Sequence, residues 1–286
     1  MKPRLLFTAT LLALSATLHA APLQIKVYSA NDNSFNVNST LVYGDHEAMV
    51  IDAGFTRADA LRIAANVLDS GRTLKTILVS QADPDYYFGV EVLHAQFPQA
   101  EVVATPAVLE VIRSKLKYKL EFWGPKMGNN APQQPVLPKV LNGNRLTLDG
   151  EAIEIRGTTG PLAHRPYVWI PSIRTLAGNV AVFNQWHVWT ADTATPALRS
   201  AWRAQLDEMQ ALQPQSVVPG HMKPGSALDV SAIRFTRDYL QSYETALQEG
   251  KDGATVIQRM KQQWPAATGM LSLEIGAKVN KGEMPW

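Results

Sequence analysis

Fourteen consecutive residues constrain this chain more than any others. They are Thr76-Ile77-Leu78-Val79-Ser80-Gln81-Ala82-Asp83-Pro84-Asp85-Tyr86-Tyr87-Phe88-Gly89. The first four are apolar or β-branched and predict a short buried strand. A polar loop with two carboxylates follows. Gly89 then opens a helix that starts at Val90 and ends near Pro98. A strand that delivers acidic side chains to its end and turns at once into a helix sets up a site at the edge of a sheet.

The flanking chain supplies more strands and helices. Leu23 to Ser29 alternates as a strand. Asn38 to Tyr43 and Ala48 to Ile51, joined through Gly44-Asp45-His46, form a hairpin. Thr56 to Ser70 is a helix with Leu61, Ala64, Ala65 and Leu68 on its inner face, stopped by Gly71. Glu101 to Ala104 is a strand, and Pro106 is suited to the first turn of the helix after it. That helix carries Arg113, Lys115, Lys117 and Lys119, which fits a solvated face. Phe122 to Pro138, rich in glycine and proline and holding Phe122 and Trp123, is expected to be irregular, as a lid over a site or as a linker. Strands follow at Arg145 to Leu148, Glu151 to Arg156, Tyr167 to Ile170 and Thr175 to Phe183. A helix capped by Thr195-Pro196 buries Leu198, Trp202, Leu206, Met209 and Leu212, and Ser216 to His221 is a last short strand. Ser231 to Gln248, Ala254 to Gln263 and Thr268 to Val279 are helices. Strand-rich runs separated by helices predict an α/β protein of two packed sheets with helices outside.

Four landmarks, taken in order, resemble the metallo-β-lactamase-fold hydrolases. They are the hairpin with Asn38 and Asp52, the Ser80–Gly89 loop, the strand end at Gly178-Asn179, and Pro219-Gly220-His221. The resemblance implies a four-layer αββα sandwich with the site at one edge between the sheets. In that family the loop reads Thr-His-x-His-x-Asp-His. Here Asp85 keeps the aspartate, while Gln81, Asp83 and Tyr86 stand where the histidines would be. Pro161 takes the place of a further histidine, with His164 three residues on, and Asn179 that of a bridging aspartate. Asp52 would either support the loop by hydrogen bonds or serve as a plain turn residue.

Zinc favours imidazole, thiolate and carboxylate. The resemblance therefore implies at most one divalent ion (zinc, manganese or iron), held by Asp85 and His221 and completed by Asp83 or Tyr86, or no ion at all. Asp83 and His187 are the candidates for proton transfer. His187, between Trp186 and Trp189, also fits a packed core histidine. Two functions stand open: a hydrolase with a rewired mononuclear site, and a non-catalytic binder of a small molecule or a partner. A serine-hydrolase arrangement lacks its Gly-x-Ser-x-Gly elbow.

Composition bounds the setting. The chain has 286 residues, 46% hydrophobic, with no cysteine, so neither a disulfide nor a thiolate ligand is available. Lys2 and Arg4, the apolar run Leu5 to Leu18, and Ala20 predict a signal peptide over residues 1–20 and a single mature domain over 21–286, periplasmic or secreted and without a membrane span. Cleavage removes two of the 27 basic residues and leaves 25 against 25 acidic ones. A neutral chain without a phosphate loop or zinc finger is not a nucleic-acid binder, and a small molecule is the expected partner. The oligomeric state is not legible in the sequence.

Overall fold

The computed structural model describes residues 22–178 and 180–286. The predicted signal peptide and Asn179 lie outside the described residues.

The first half alternates strands and helices. It runs β1 (Gln24–Ser29), β2 (Asn38–Tyr43), β3 (Glu47–Ile51), α1 (Arg57–Ser70), β4 (Thr73–Leu78), α2 (Pro84–Tyr87), α3 (Val90–Gln96), β5 (Glu101–Ala104), α4 (Pro106–Met127) and β6 (Lys139–Val140). The six strands form one sheet in chain order, antiparallel from β1 to β3 and parallel from β3 onward. The second half supplies β7 (Arg145–Leu148), β8 (Glu151–Arg156), β9 (Tyr167–Ile170), β10 (Thr175–Ala177), β11 (Phe183–Asn184), α5 (Pro196–Ala211), β12 (Ser216–Val217), β13 (His221–Met222), α6 (Ser231–Glu249), α7 (Gly253–Gln263) and α8 (Met270–Asn280). Its main sheet has the order β12-β10-β9-β8-β7, and β11 pairs in parallel with β13 beside it.

Period-two alternation makes this a helix–sheet–sheet–helix sandwich. On β3, Ala48 and Val50 pack toward α1, α3 and α4, while Met49 and Ile51 pack toward the second sheet. On β9, Val168 and Ile170 face the first sheet, while Tyr167 and Trp169 face the helices of the second half. Strands buried on both faces in this way read as continuous apolar runs.

Three expectations need correction. The inner face of α1 is Ala60, Ile63, Ala64 and Val67, whereas Leu61 and Leu68 are 55% and 67% exposed. The capping box between Thr56 and Asp59 fixes the start of the helix, and Ser34 and Tyr28 donate to Asp59 at 2.6 and 2.7 Å. With Asp59 turned inward, the stripe beginning one residue later is the buried one.

The irregular segment expected from Phe122 begins six residues later, because α4 continues through Gly124 and Pro125 to Met127. Trp123 packs against Phe35 and Phe55 at 5.5 and 5.2 Å, and this tertiary contact outweighs the breaker residues. The strand expected over Thr175 to Phe183 breaks after Ala177. Gly178 has φ +56°, and a β-carbon there would lie 2.6 Å from Ile51 and 3.3 Å from Ser80. The chain thus turns away just where it passes the loop after β4.

Candidate functional site

The loop after β4 is held from below by Asp52. This residue follows β3 in a left-handed conformation, φ +67°, uncommon for a side chain other than glycine. Its two carboxylate oxygens accept from Ser80 N at 2.8 Å and Ser80 Oγ at 2.7 Å. Burial pushes its carboxyl up to about 8, against the pull of the two Ser80 bonds. Asp52 is therefore both a turn residue and the clamp on the loop. Gly89 completes the frame, since a β-carbon there would collide with the Ala53 carbonyl.

This frame brings together Asp83, Asp85, Tyr86 and His221. His221 arrives on β13, beside β11, and its Nδ1 lies 2.9 Å from the Phe35 carbonyl. A carbonyl only accepts, so Nδ1 carries the proton and Nε2 presents a lone pair. That lone pair faces Asp85 Oδ2 at 3.4 Å. Burial lowers His221 to about 4 and raises Asp85 to about 7, so the pair favours its neutral form. His221 stacks on Phe183 at 5.3 Å and meets Tyr86 edge-on at 5.8 Å. Tyr86 is fully buried, and its Oη has no hydrogen-bond partner among the described residues. Burial, and then Asp85, push its phenol well above the ordinary value, so it stays protonated.

Asp83 has a different neighbour. Lys119 Nζ lies 3.6 Å from Asp83 Oδ1, and Lys119 is only 8% exposed. The solvated face expected for α4 holds for Arg113 and Lys117 but not for Lys119, and Lys115 is half-exposed. Lys115 reaches Asp192 at 3.6 Å. An inward lysine on an amphipathic helix is stable only with such a carboxylate opposite. Burial, and then Asp192, push Asp83 up to about 6 against the pull of Lys119.

Four residues at this site escape reading along the sequence: Lys119, Arg165, Asp192 and Trp286. Asp192 accepts Trp189 Nε1 at 2.6 Å and Trp286 Nε1 at 2.8 Å. Burial raises its carboxyl, but the two indoles, then Lys115 and Arg165, hold it below the usual carboxylate range. Arg165 is 3% exposed, with its guanidinium 4.1 Å from the Trp202 ring and Nη2 3.3 Å from the Val180 carbonyl. Its Nη1 has no partner among the described residues. A weak signal was present in the sequence: Arg165 adjoins His164, and Asp192 follows Trp189 by one helical turn.

The other sequence candidates lie elsewhere or are committed. Gln81 donates from Nε2 to the Pro166 carbonyl at 3.0 Å. His164 is half-buried and held low by burial and Arg165. Its charged neighbours, besides Arg165, are Asp192 and Lys115. His187 is 1% exposed and pairs through Nδ1 with Tyr239 Oη at 2.9 Å. It meets α6 and the Thr268 backbone rather than Asp83, Asp85 or His221. Ser80 Oγ is used up on Asp52. Among the described residues, no three His, Asp or Glu side chains gather as a metal cluster.

A sandwich of this topology, with its acidic loop and Pro-Gly-His strand at one edge, defines the αββα hydrolase-fold class. The family model of the metallo-beta-lactamase superfamily matches residues 33–221, more than half of the chain. The chain belongs to that superfamily, whose members typically bind zinc. Solved structures agree on the fold. DIM-1 metallo-beta-lactamase aligns with TM-score 0.54 and 17% identity over 78% of this chain and 99% of its own. VMB-1 aligns at 0.56 and 18%, over 80% and 96%. A metallo-beta-lactamase family protein from Thermus thermophilus aligns at 0.60 and 16%, over 88% and 91%. No curated protein matches the sequence. Among the described residues, no helix is long and apolar enough to cross a membrane.

Proposed function

We propose that this chain is an exported member of the superfamily that binds a small molecule at the Asp83–Asp85 edge without metal-assisted hydrolysis. The observation that carries this reading is the ion pair of buried Lys119 with partly exposed Asp83 at 3.6 Å. An ammonium already compensates the carboxylate that would have to serve a divalent ion, and a second cation there meets like-charge repulsion.

The remaining donors do not fit zinc either. A structural or catalytic zinc takes three or four nitrogen, sulfur or carboxylate donors. Of the expected set Asp83, Asp85, Tyr86 and His221, Tyr86 offers a phenol that burial and Asp85 make harder to ionise, and Asp83 already pairs with Lys119. Asp85 and His221 are left, facing each other. Gln81 is tied to a backbone carbonyl, and Pro161 has no side-chain donor. Around the edge, Asp83 and Asp192 face Lys119, Lys115 and Arg165 from the chain itself, while Asp85 faces His221. Hydrolysis in a metal site needs an ion to polarise a carbonyl or to activate water. The pairing of these residues with one another supports binding without that step. The basic head and apolar run of residues 1–20 support export to the periplasm or medium.

The test is turnover of a β-lactam, a lactone and a thioester by the chain from Ala21 onward, with and without added zinc. The expected result is no hydrolysis above buffer under either condition. Zinc-dependent hydrolysis lost in His221→Ala would instead establish the rewired hydrolase, the reading that the retained Asp85–His221 pair favours.

A further inference from the structure

Trp286 behaves at this edge as a bound molecule would. Its Nε1 donates to Asp192 at 2.8 Å, Lys119 Nζ stands 5.6 Å from its ring centre, and its ring meets Trp189 at 5.0 Å in a T-shaped contact. Yet Trp286 is 52% exposed, while Lys119 beneath it is 8% exposed. About half of the indole's surface stays in solvent, and the groups it meets belong to other elements of the fold. Those groups do not depend on it for their places. Asp192 keeps Trp189 Nε1 at 2.6 Å and Lys115 at 3.6 Å. Lys119 keeps Asp83. Arg165, whose charge acts on Asp192, has a buried Nη1 without a partner among the described residues, and the buried Tyr86 Oη beside Arg165 has none there either. Such atoms usually mark a place where water or a ligand completes the bonding.

We propose that Trp286 is a tethered occupant of a binding site for planar heteroaromatic compounds with an N–H donor, the indole class. This rests on the metal-free binding reading above and names the ligand chemistry of the same edge. The carboxylate of Asp192 takes the N–H, the ammonium of Lys119 takes the π face, and the Trp189 ring closes one side in a T-shaped contact. A free ligand enters by displacing the Trp286 ring, so Trp286 sets the threshold for binding. The preference for an N–H follows from Asp192, because an oxygen heterocycle would place a lone pair against a carboxylate.

Isothermal titration of free indole and of benzofuran into the wild type, Trp286→Ala and Trp286→Phe tests this, with near-ultraviolet circular dichroism as the check on folding. Trp286→Ala is expected to bind indole about tenfold more tightly than the wild type, a difference of ~1.4 kcal/mol. Benzofuran should bind that variant about tenfold more weakly than indole does, by the same conversion. Trp286→Phe keeps a ring but no N–H, and its gain should fall between the two; it carries the test if the alanine variant does not fold. Equal indole affinity in wild type and both variants, or equal affinity for benzofuran and indole, overturns the proposal. Absence of indole binding to any form overturns it too, and leaves the metal-free reading to its own assay. Zinc-dependent hydrolysis would remove that reading instead.

Discussion

The two carboxylates of the central loop sit two residues apart and have been neutralised in different ways. Asp85 faces the neutral lone pair of His221 inside walls of Phe183, Trp186 and Tyr86. Burial raises its carboxyl to about 7, so below that pH a proton neutralises it. Asp83 keeps 28% of its side chain exposed and has an ammonium instead. On the reading proposed above, one proton and one lysine balance these carboxylates in a superfamily whose members typically bind zinc. The difference teaches that a motif position can persist in sequence while its physical partner changes entirely.

The largest expected effect lies on the apolar side. His221→Ala removes a ring stacked among three aromatics and the bond to Phe35, and should cost about 3 kcal/mol in chemical denaturation. Lys119→Met acts on the other side. It leaves Asp83 facing Asp85 and Asp192 without its ammonium, and should cost about 2 kcal/mol at pH 8, discounted for the partial exposure of Asp83. That cost should shrink at pH 5, because Asp83, raised to about 6, can take up a proton. The comparison breaks if the Lys119 variant proves the more damaging or if its penalty ignores pH.

Titration sharpens the contrast. Asp83, Asp85 and Asp52, raised to about 6, 7 and 8, hold protons in the folded chain that the unfolded chain has released. Their contribution favours folding below the unfolded value and is lost as pH rises through these folded values. His221 and His187, both lowered to about 4, do the reverse, and their contribution is lost as pH falls from 6.5 toward 4. Stability should therefore rise on acidification from pH 8.5 through about 6.5 and keep rising toward about pH 4, where three raised carboxyls oppose two lowered histidines. In His221→Phe the rise below about pH 6.5 should be steeper, since one opposing group is gone. The smallest effect is that of Trp286→Ala. A half-exposed ring with one hydrogen bond should cost about 1 kcal/mol or less by thermal melting.

The frame of the site was legible because it is local. The strand, the loop and Gly89 are contiguous, and Pro219-Gly220-His221 is a short motif on a strand end. The role of Asp52 was half legible, since one residue in a left-handed turn both bends the chain and clamps Ser80. Lys119, Arg165, Asp192 and Trp286 were not legible. They reach the edge from four separate segments, and nothing in a helix stripe of lysines says whether it faces water or a carboxylate. The phase of α1 and the length of α4 escaped for a related reason. Both are decided by contacts with Tyr28, Ser34, Phe35 and Phe55, which are distant in the chain.

The measurement that bears most directly on the account is metal content. The chain from Ala21 onward, purified without a histidine tag, would be incubated with zinc, manganese and iron, dialysed, and analysed by mass spectrometry. A self-compensated edge predicts metal far below one equivalent, unchanged in His221→Ala. Close to one equivalent in the wild type, lost in His221→Ala, would contradict it and show that the Asp85–His221 pair holds an ion in spite of Lys119.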